Sequence, residues 1–203
     1  MLTRTLQPAS PVRNRVFLIL LIALFIAPLL GAWLLVGHWR PGSTSNHGEL
    51  LNPARPIAHL RVQQPNGDPL DERYLQDRWT LIYINPASGC DSHCQDSLYK
   101  IRQLRLALGK DRGRVQRLFM MADMPTTNLL GWLSKEHGDM PVGIADAPTL
   151  QFLNQAFSES ALSADWFYLV DPLGNLVMRY RAQSNPRDIL DDLEHLLKFS
   201  RIG

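Results

Sequence analysis

The sequence predicts an α/β fold, with a central mixed sheet flanked by helices, and one N-terminal transmembrane helix. Three observations support this fold class. An uncharged apolar run fills residues 16–36, which is long enough to cross a hydrocarbon core of about 30 Å. Beyond it, apolar patterns typical of buried strands alternate with patterns of helical period. The only two cysteines, Cys90 and Cys94, come directly after the best-defined of these strand patterns.

The apolar run at residues 16–36 is predicted to be an uncleaved membrane anchor. A cleaved signal peptide, which is the alternative, normally has an apolar region of about 7–15 residues, and this run is longer. Its flanks are asymmetric, because three arginines precede it and one follows it closely: Arg4, Arg13, Arg15 and Arg40. The positive-inside rule therefore predicts a cytoplasmic N-terminus. Both alternatives place the residues after 40 outside the cytoplasm.

The chain is predicted to have four parts. Residues 40–56 are rich in Pro, Gly, Ser and Asn and show no periodicity, which is typical of a tether. The predicted parts are a cytoplasmic tail (1–15), the anchor (16–36), the tether (37–56) and a folded domain (57–203). Of the 21 basic and 19 acidic residues, four arginines and no acid fall within residues 1–40. The rest of the chain is slightly acidic, which argues against a nucleic-acid-binding surface.

The first half of the folded domain is predicted to contain a hairpin, a short helix, a strand, a helix and a second strand. The hairpin begins at residues 57–63 and turns through Asn66 and Gly67, a pair that readily adopts positive φ angles. The strand WTLIYI is short and rich in β-branched and aromatic residues. Apolar residues at helical spacing follow Cys94. The short helix and the two strands are expected at residues 70–76, 79–84 and 115–121.

The second half is predicted to contain two helices, a hairpin and a final helix. The first helix is capped by Thr126 or Thr127, and the second is opened by Asp146. These helices and the strands of the hairpin are expected at residues 128–137, 148–157, 166–170 and 176–180, and the final helix after 185. An early strand–helix–strand unit predicts a parallel strand pair. Together with a cysteine pair at the end of the first central strand, this order predicts a thioredoxin-like α/β sandwich.

Cys90 and Cys94 are expected to lie where a buried strand passes into a helix N-terminus. Exposed backbone N–H groups and the helix dipole stabilise a thiolate there, whereas the neighbouring Asp91 disfavours it. In a helical turn, residues four apart lie on one face about 6 Å apart. That spacing suits a disulfide, and it also suits two thiolates that hold one soft metal ion. Two inert core cysteines or a structural disulfide are the alternatives.

These features resemble the Sco/SenC family of membrane-anchored, thioredoxin-like proteins. The resemblance covers residues 57–198 and rests on the strand WTLIYI, the Cys90-x-x-x-Cys94 spacing and the segment YLVDPLGN at residues 168–175. Most thioredoxins have two residues between the cysteines, whereas Sco-type proteins have three. The resemblance implies a role in cytochrome c oxidase assembly at a bacterial cytoplasmic membrane. In the family, two thiolates and a distal histidine bind copper, and some members act as thiol–disulfide reductases.

The chain departs from this family at two positions. Gln95 follows the second cysteine, where the family usually has proline. Ser163 stands where the resemblance predicts the copper-binding histidine, and no histidine lies between His137 and His195. The third copper ligand of the family is therefore missing at its expected position.

Few residues are candidates to replace that ligand. His93 is expected to face away from a metal held by both sulfurs, because neighbouring helix positions point about 100° apart. Met120 and Met121 fit strand packing better than ligation, and Met124, near the strand end, is the best placed of the three methionines. The remaining histidines receive no role: His38, His47, His59, His137 and His195.

Three functions are consistent with the sequence. In the first, Cys90 attacks a partner's disulfide and Cys94 resolves the mixed disulfide. In the second, Cys90 and Cys94 hold Cu(I) as a metallochaperone. In the third, the domain is a scaffold with a structural disulfide. The resemblance implies a respiratory oxidase subunit, or another copper or thiol assembly factor, as the partner in the periplasm.

Overall fold

The computed structural model describes residues 11–38, 46–57, 61–156 and 165–200. The chain divides into two compact units, Met1–Ser45 and Asn46–Gly203.

The first unit contains one long apolar helix. Helix α1 covers Pro11–His38, and its segment Val12–Leu34 is long and apolar enough to cross a membrane. This confirms the predicted N-terminal helix as a candidate for membrane crossing. Pro28 lies inside the helix, as membrane helices tolerate.

The second unit is built on a seven-stranded mixed sheet. Its strand order is β1-β7-β6-β3-β4-β5-β2. The strands are β1 (Glu49–Pro56), β2 (Val62–Gln63), β3 (Trp79–Asn85), β4 (Val115–Met121), β5 (Val142–Ala145), β6 (Trp166–Val170) and β7 (Asn175–Arg181). β3 pairs in parallel with β4 and antiparallel with β6. The end of β3 therefore lies beside the end of β4 and the start of β6.

Helices cover both faces of the sheet, which completes the predicted sandwich. They are α2 (Ser92–Ala107), α3 (Thr127–His137), α4 (Ala147–Ala156) and α5 (Pro186–Phe199). On one face, residues of α2, α3 and α5 pack with Leu81 and Phe119 of the central strands. On the other face, Leu153 of α4 packs with Ile82 and Ile84. Alternate residues of β3 therefore enter opposite cores, which explains why the whole strand is buried.

The structure differs from the predicted tether over Glu49–Pro56. This segment is the edge strand β1, which pairs antiparallel with β7. Its register is irregular, and proline is tolerated in edge strands because one side of the strand needs no ladder hydrogen bonds. Glu49 accepts a hydrogen bond of 2.8 Å from Nε of Arg179, which is buried. The attachment depends on this distant partner, and the local composition contains no sign of it.

The short strands β2 and β5 lie at the other edge of the sheet. β2 pairs with β5, and the predicted small hairpin is present across the turn, where the Leu70 N–H donates a hydrogen bond of 2.8 Å to the carbonyl of Val62. The predicted turn is present, with Gly67 at a φ of 89°. The strand β5 itself follows no alternating pattern long enough to predict it, and its place beside β4 buries alternate residues.

The residues that precede β1 are attached to α5 through Asp192. The Asp192 carboxylate, which is buried, accepts hydrogen bonds from the backbone N–H groups of His47 (2.9 Å) and Gly48 (3.1 Å). Nδ1 of the His47 ring lies 3.1 Å from the other carboxylate oxygen. A Cβ atom at Gly48 would come within 2.5 Å of the Tyr180 ring, so only glycine fits this close approach.

The His47–Asp192 contact is expected to make the stability of the second unit depend on pH. The hydrogen bond to Asp192 raises the pKa of His47, with Asp188 and Asp191 contributing to the same effect. The stabilisation is complete below the unfolded pKa of about 6.5 and is lost as the pH rises through the raised folded pKa. His47→Gln should therefore lower the free energy of unfolding more at about pH 5.5 than at about pH 8.5, measured by urea denaturation. An equal loss of unfolding free energy at both pH values would contradict the expected pH dependence. His195→Gln is the matched control.

Candidate redox site at Cys90 and Cys94

Asn85 shapes the loop that leads from β3 to the cysteines. It is the last residue of the buried strand, and its side chain accepts a hydrogen bond of 3.1 Å from the backbone N–H of Ala87. The same side chain donates a bond of 2.6 Å to the carbonyl of Gly89. These two bonds hold the loop against the sheet and bring Cys90 to the start of α2. Sequence reasoning missed this role, although asparagine at a strand end is typical of such loop-closing bonds.

Asp91 begins α2 and lies between the two cysteines. It is the N-cap residue, and its carboxylate accepts a hydrogen bond of 2.9 Å from the backbone N–H of Cys94. The negative charge at the helix N-terminus is therefore supplied by Asp91 itself. That Asp91 disfavours a thiolate at this position stays a prediction. Cys90 precedes the helix and does not share a helical face with Cys94, which differs from the geometry predicted for a helical turn.

The two cysteines form a disulfide, with their Cα atoms 5.2 Å apart. Cys94 is 1% exposed and belongs to the core under α2. Cys90 is partly exposed and borders a cavity of about 510 Å³ that is also lined by the loop residues and by His93. Only the sulfur of Cys90 is therefore open to a partner.

The core beneath the disulfide is aromatic. The fully buried Tyr83 of β3 stacks on Phe119 at a centroid distance of 5.8 Å and meets Phe167 edge-on at 5.7 Å. Burial raises the pKa of Tyr83 to about 12, so its phenol stays neutral at physiological pH. Cys94 packs in the same cluster. The inner wall of the site is therefore a rigid apolar surface.

His93 contacts the start of β6. Its Nε2 atom lies 3.6 Å from Oδ1 of Asp165, and both side chains are close to half exposed. Gln183, just after β7, donates a hydrogen bond of 3.3 Å to the same oxygen. The structure thus directs the His93 ring toward Asp165, a residue that sequence reasoning did not identify. The position of Asp165 follows from the antiparallel pairing of β6 with β3, which no local pattern in the sequence reveals.

Among the described candidates, only His93 lines the cavity beside Cys90 together with that cysteine. Met120 and Met121 are buried strand residues, as predicted, and Met124 is exposed. His137 is buried beside Arg117, and burial lowers its pKa. His59 and Ser163 lie outside the described residues. Within the described ranges, no group of three His, Cys, Asp or Glu side chains is arranged to hold a metal ion.

Comparison with known proteins agrees with this fold. A family model described as a transmembrane-like, thioredoxin-like, C-terminal domain matches residues 79–200. None of the curated proteins matches the chain. The matched residues extend from the start of β3 to the end of α5, so they include the disulfide and the residues around it.

Solved structures of Sco proteins share the fold at low sequence identity. Copper-bound yeast Sco1 is 20% identical, with a TM-score of 0.56, over 78% of this chain and 96% of that chain. Apo Sco1 from Thermus thermophilus is 17% identical, with a TM-score of 0.58, over 77% and 99%. BsSco, whose structure accompanied the identification of a disulfide switch, is 15% identical, with a TM-score of 0.54, over 77% and 98%. With a Sco-like thioredoxin fold and a family model that matches more than half of its length, the chain belongs to the transmembrane-like, thioredoxin-like family.

Proposed function

We propose that the protein is a membrane-anchored thiol–disulfide exchange protein that acts in the biogenesis of cytochrome c oxidase. The observation that carries this proposal is the asymmetric disulfide between Cys90 and Cys94. One sulfur borders an open cavity and the other is enclosed in the core. A pair of this kind lets one cysteine meet a partner while the other completes the exchange.

The reduced pair would react in two steps. The Cys90 thiolate attacks one sulfur of a partner's disulfide, which forms a mixed disulfide and releases the partner's second sulfur as a thiolate that takes a proton from water. The Cys94 thiolate then attacks Cys90 Sγ, which forms the internal disulfide and releases the remaining partner sulfur. Two electrons pass from the dithiol of this protein to the disulfide of the partner. A separate dithiol reductant then restores the pair.

The proposed location is the outer face of a bacterial cytoplasmic membrane. Helix α1 would be the single-pass anchor, with residues 1–15 in the cytoplasm and the domain in the periplasm. The arginine bias around residues 16–36 supports this orientation, and the transmembrane-like character of the family supports the anchor. BsSco is described as a member of the Sco family of cytochrome c oxidase assembly proteins. The proposed partner is accordingly an oxidase subunit or another assembly factor.

Redox titration of the full chain in a neutral detergent tests the exchange function. We expect the Cys90–Cys94 disulfide to equilibrate with a small dithiol–disulfide buffer at a midpoint potential above about −300 mV. Mass spectrometry of alkylated samples would measure the fraction of reduced pairs. A potential below this value, with no exchange in mild reductant, would indicate the structural disulfide of a scaffold and would exclude the proposal.

Delivery of Cu(I) is a second candidate function, and the close spacing of the two sulfurs favours it. Cα atoms 5.2 Å apart allow two thiolates of the reduced pair to bind one soft cation together. Yeast Sco1 has been solved with copper bound. Among the described residues, no group of three His, Cys, Asp or Glu side chains includes the pair. In this candidate function, Cys90 and Cys94 alone would hold the ion as cargo until a partner receives it.

Reduced protein is expected to bind one Cu(I) and to bind Cu(II) only weakly. Thiolates suit Cu(I), whereas Cu(II) prefers additional nitrogen ligands. Competition with a Cu(I) chelator, with free thiols counted in parallel, should show both thiols protected by one ion. A Cu(II) complex with a strong thiolate charge-transfer band would contradict the two-sulfur ligand set, and Cys94→Ser should abolish Cu(I) binding.

A further inference from the structure

The connecting segments around Cys90 share one kind of charge. The end of β3, the end of β4 and the start of β6 lie side by side because β3 pairs with both neighbours. The residues there, at 86–91, 122–126 and 165, include three aspartates and no lysine or arginine: Asp91, Asp123 and Asp165. The segment at 182–185, after β7, is uncharged. The face that a partner meets at Cys90 is therefore acidic.

Two basic side chains on the neighbouring elements have contacts of their own. Lys100 of α2 donates its hydrogen bonds to the carbonyls of Ala182 and Ser184. Arg181 places its guanidinium over the Trp166 ring, 4.5 Å from its centroid.

The three aspartates lie in different local environments, so no single structural contact accounts for all three charges. Asp91 caps α2 through the backbone N–H of Cys94. Asp165 contacts His93 and accepts a hydrogen bond from Gln183. Asp123 is exposed in the segment after β4. Asp91 lines the cavity beside Cys90, and strand pairing places the segments that carry Asp123 and Asp165 beside the end of β3. The three segments thus carry one sign of charge around this end of the sheet.

We propose that the segment of the partner that reacts with Cys90 is basic, with lysine or arginine within a few residues of its cysteine. This inference rests on the proposed thiol–disulfide exchange and names its substrate class. In a mixed disulfide, the partner's flanking residues approach the acidic face to within the Debye length of about 8 Å at physiological ionic strength. Complementary charge at this distance speeds association and suppresses partners of like charge.

Single-turnover exchange with three synthetic disulfide peptides tests this inference. The peptides are identical except for two residues beside the reactive cysteine, which are lysine, serine or glutamate. Reduced full-chain protein in neutral detergent should react at least about tenfold faster with the lysine peptide than with the glutamate peptide at about 0.05 M salt. The ratio should fall to about two at about 0.5 M salt, because the charges are then screened.

Matched variants assign the preference to the acidic face. The double variant Asp165→Asn/Asp123→Asn should reduce the lysine-to-glutamate rate ratio severalfold. The control variant Glu194→Gln also removes a carboxylate charge, but on α5, and should leave this rate ratio unchanged. The serine peptide should react with the Glu194→Gln protein at the parent rate. Equal rates for the three peptides would overturn the charge inference and leave the exchange function intact. Failure of Cys90 to react with any of the disulfides would overturn both.

Discussion

A Cys90→Ser variant is expected to lose the proposed thiol–disulfide exchange by at least about a thousandfold, which is the size of loss seen when an enzyme loses its nucleophile. Cys90 carries the accessible sulfur beside the cavity, whereas Cys94 is 1% exposed. The folded domain therefore shields Cys94 from a partner disulfide. The rate should be measured by quenched-flow alkylation of the reduced protein mixed with a disulfide peptide.

The Cys94→Ser variant should fail at a different step. Its Cys90 still attacks the partner, but no second thiolate is present to release it, so the mixed disulfide should accumulate. Non-reducing electrophoresis and intact-mass measurement would detect this species. Ser88→Ala, in the same exposed loop, is the control and should exchange like the parent. If Cys90→Ser exchanged as fast as the parent, or if Cys94→Ser formed no mixed disulfide, the assigned roles would be wrong.

An Asp139→Ala variant is expected to destabilise the folded domain by about 2–4 kcal/mol. Asp139 accepts a hydrogen bond of 2.5 Å from Nη2 of Arg117, whose side chain is 1% exposed. It also accepts one of 2.9 Å from Nη1 of Arg105. Burial lowers the pKa of Arg117, and the Asp139 carboxylate opposes this shift. Removal of the carboxylate would leave a buried cation beside a second arginine.

Removal of the other partner, Arg117, should lower the free energy of unfolding by a smaller amount. Asp139 is half exposed, so its carboxylate keeps its contacts with Arg105 and with water. Arg117→Met is expected to lower the free energy of unfolding by about 1 kcal/mol or less. The double variant Arg117→Met/Asp139→Ala should resemble Arg117→Met, which shows that the large loss comes from the uncompensated charge. Urea denaturation followed by circular dichroism would measure all three. A loss for Arg117→Met as large as that for Asp139→Ala would contradict this account.

The helices of the domain were predictable because their signals are local. Thr126, Asp146 and Asn185 each cap the helix that follows through a side-chain oxygen, and these residue types are recognisable N-caps in a sequence. The strands at Val115–Met121 and Trp166–Val170 were predicted with the bounds that the structure has. Runs of β-branched and aromatic residues between turn signals indicate such buried strands without knowledge of their neighbours.

The candidate site was predictable only in part. The disulfide partners and the greater exposure of Cys90 follow from their place between a strand and a helix. The contact of His93 with Asp165 does not, because it needs β6 beside β3, and these strands are far apart in the chain. The acidic face around Cys90 is likewise assembled by strand pairing from three separate segments.

The sequence by itself determined the apolar N-terminal helix, the order of most elements and the cysteine pair, since each depends on residues close together in the chain. Only the tertiary structure decided that Glu49–Pro56 is a strand. The partners that hold this segment are Arg179, 130 residues from Glu49, and Asp192, 145 residues from His47. A buried arginine and a buried carboxylate bind the segment because each needs a polar partner in the core. Arg179 and Asp192 become buried only when the sheet has assembled, so no local pattern in the sequence could reveal these hydrogen bonds.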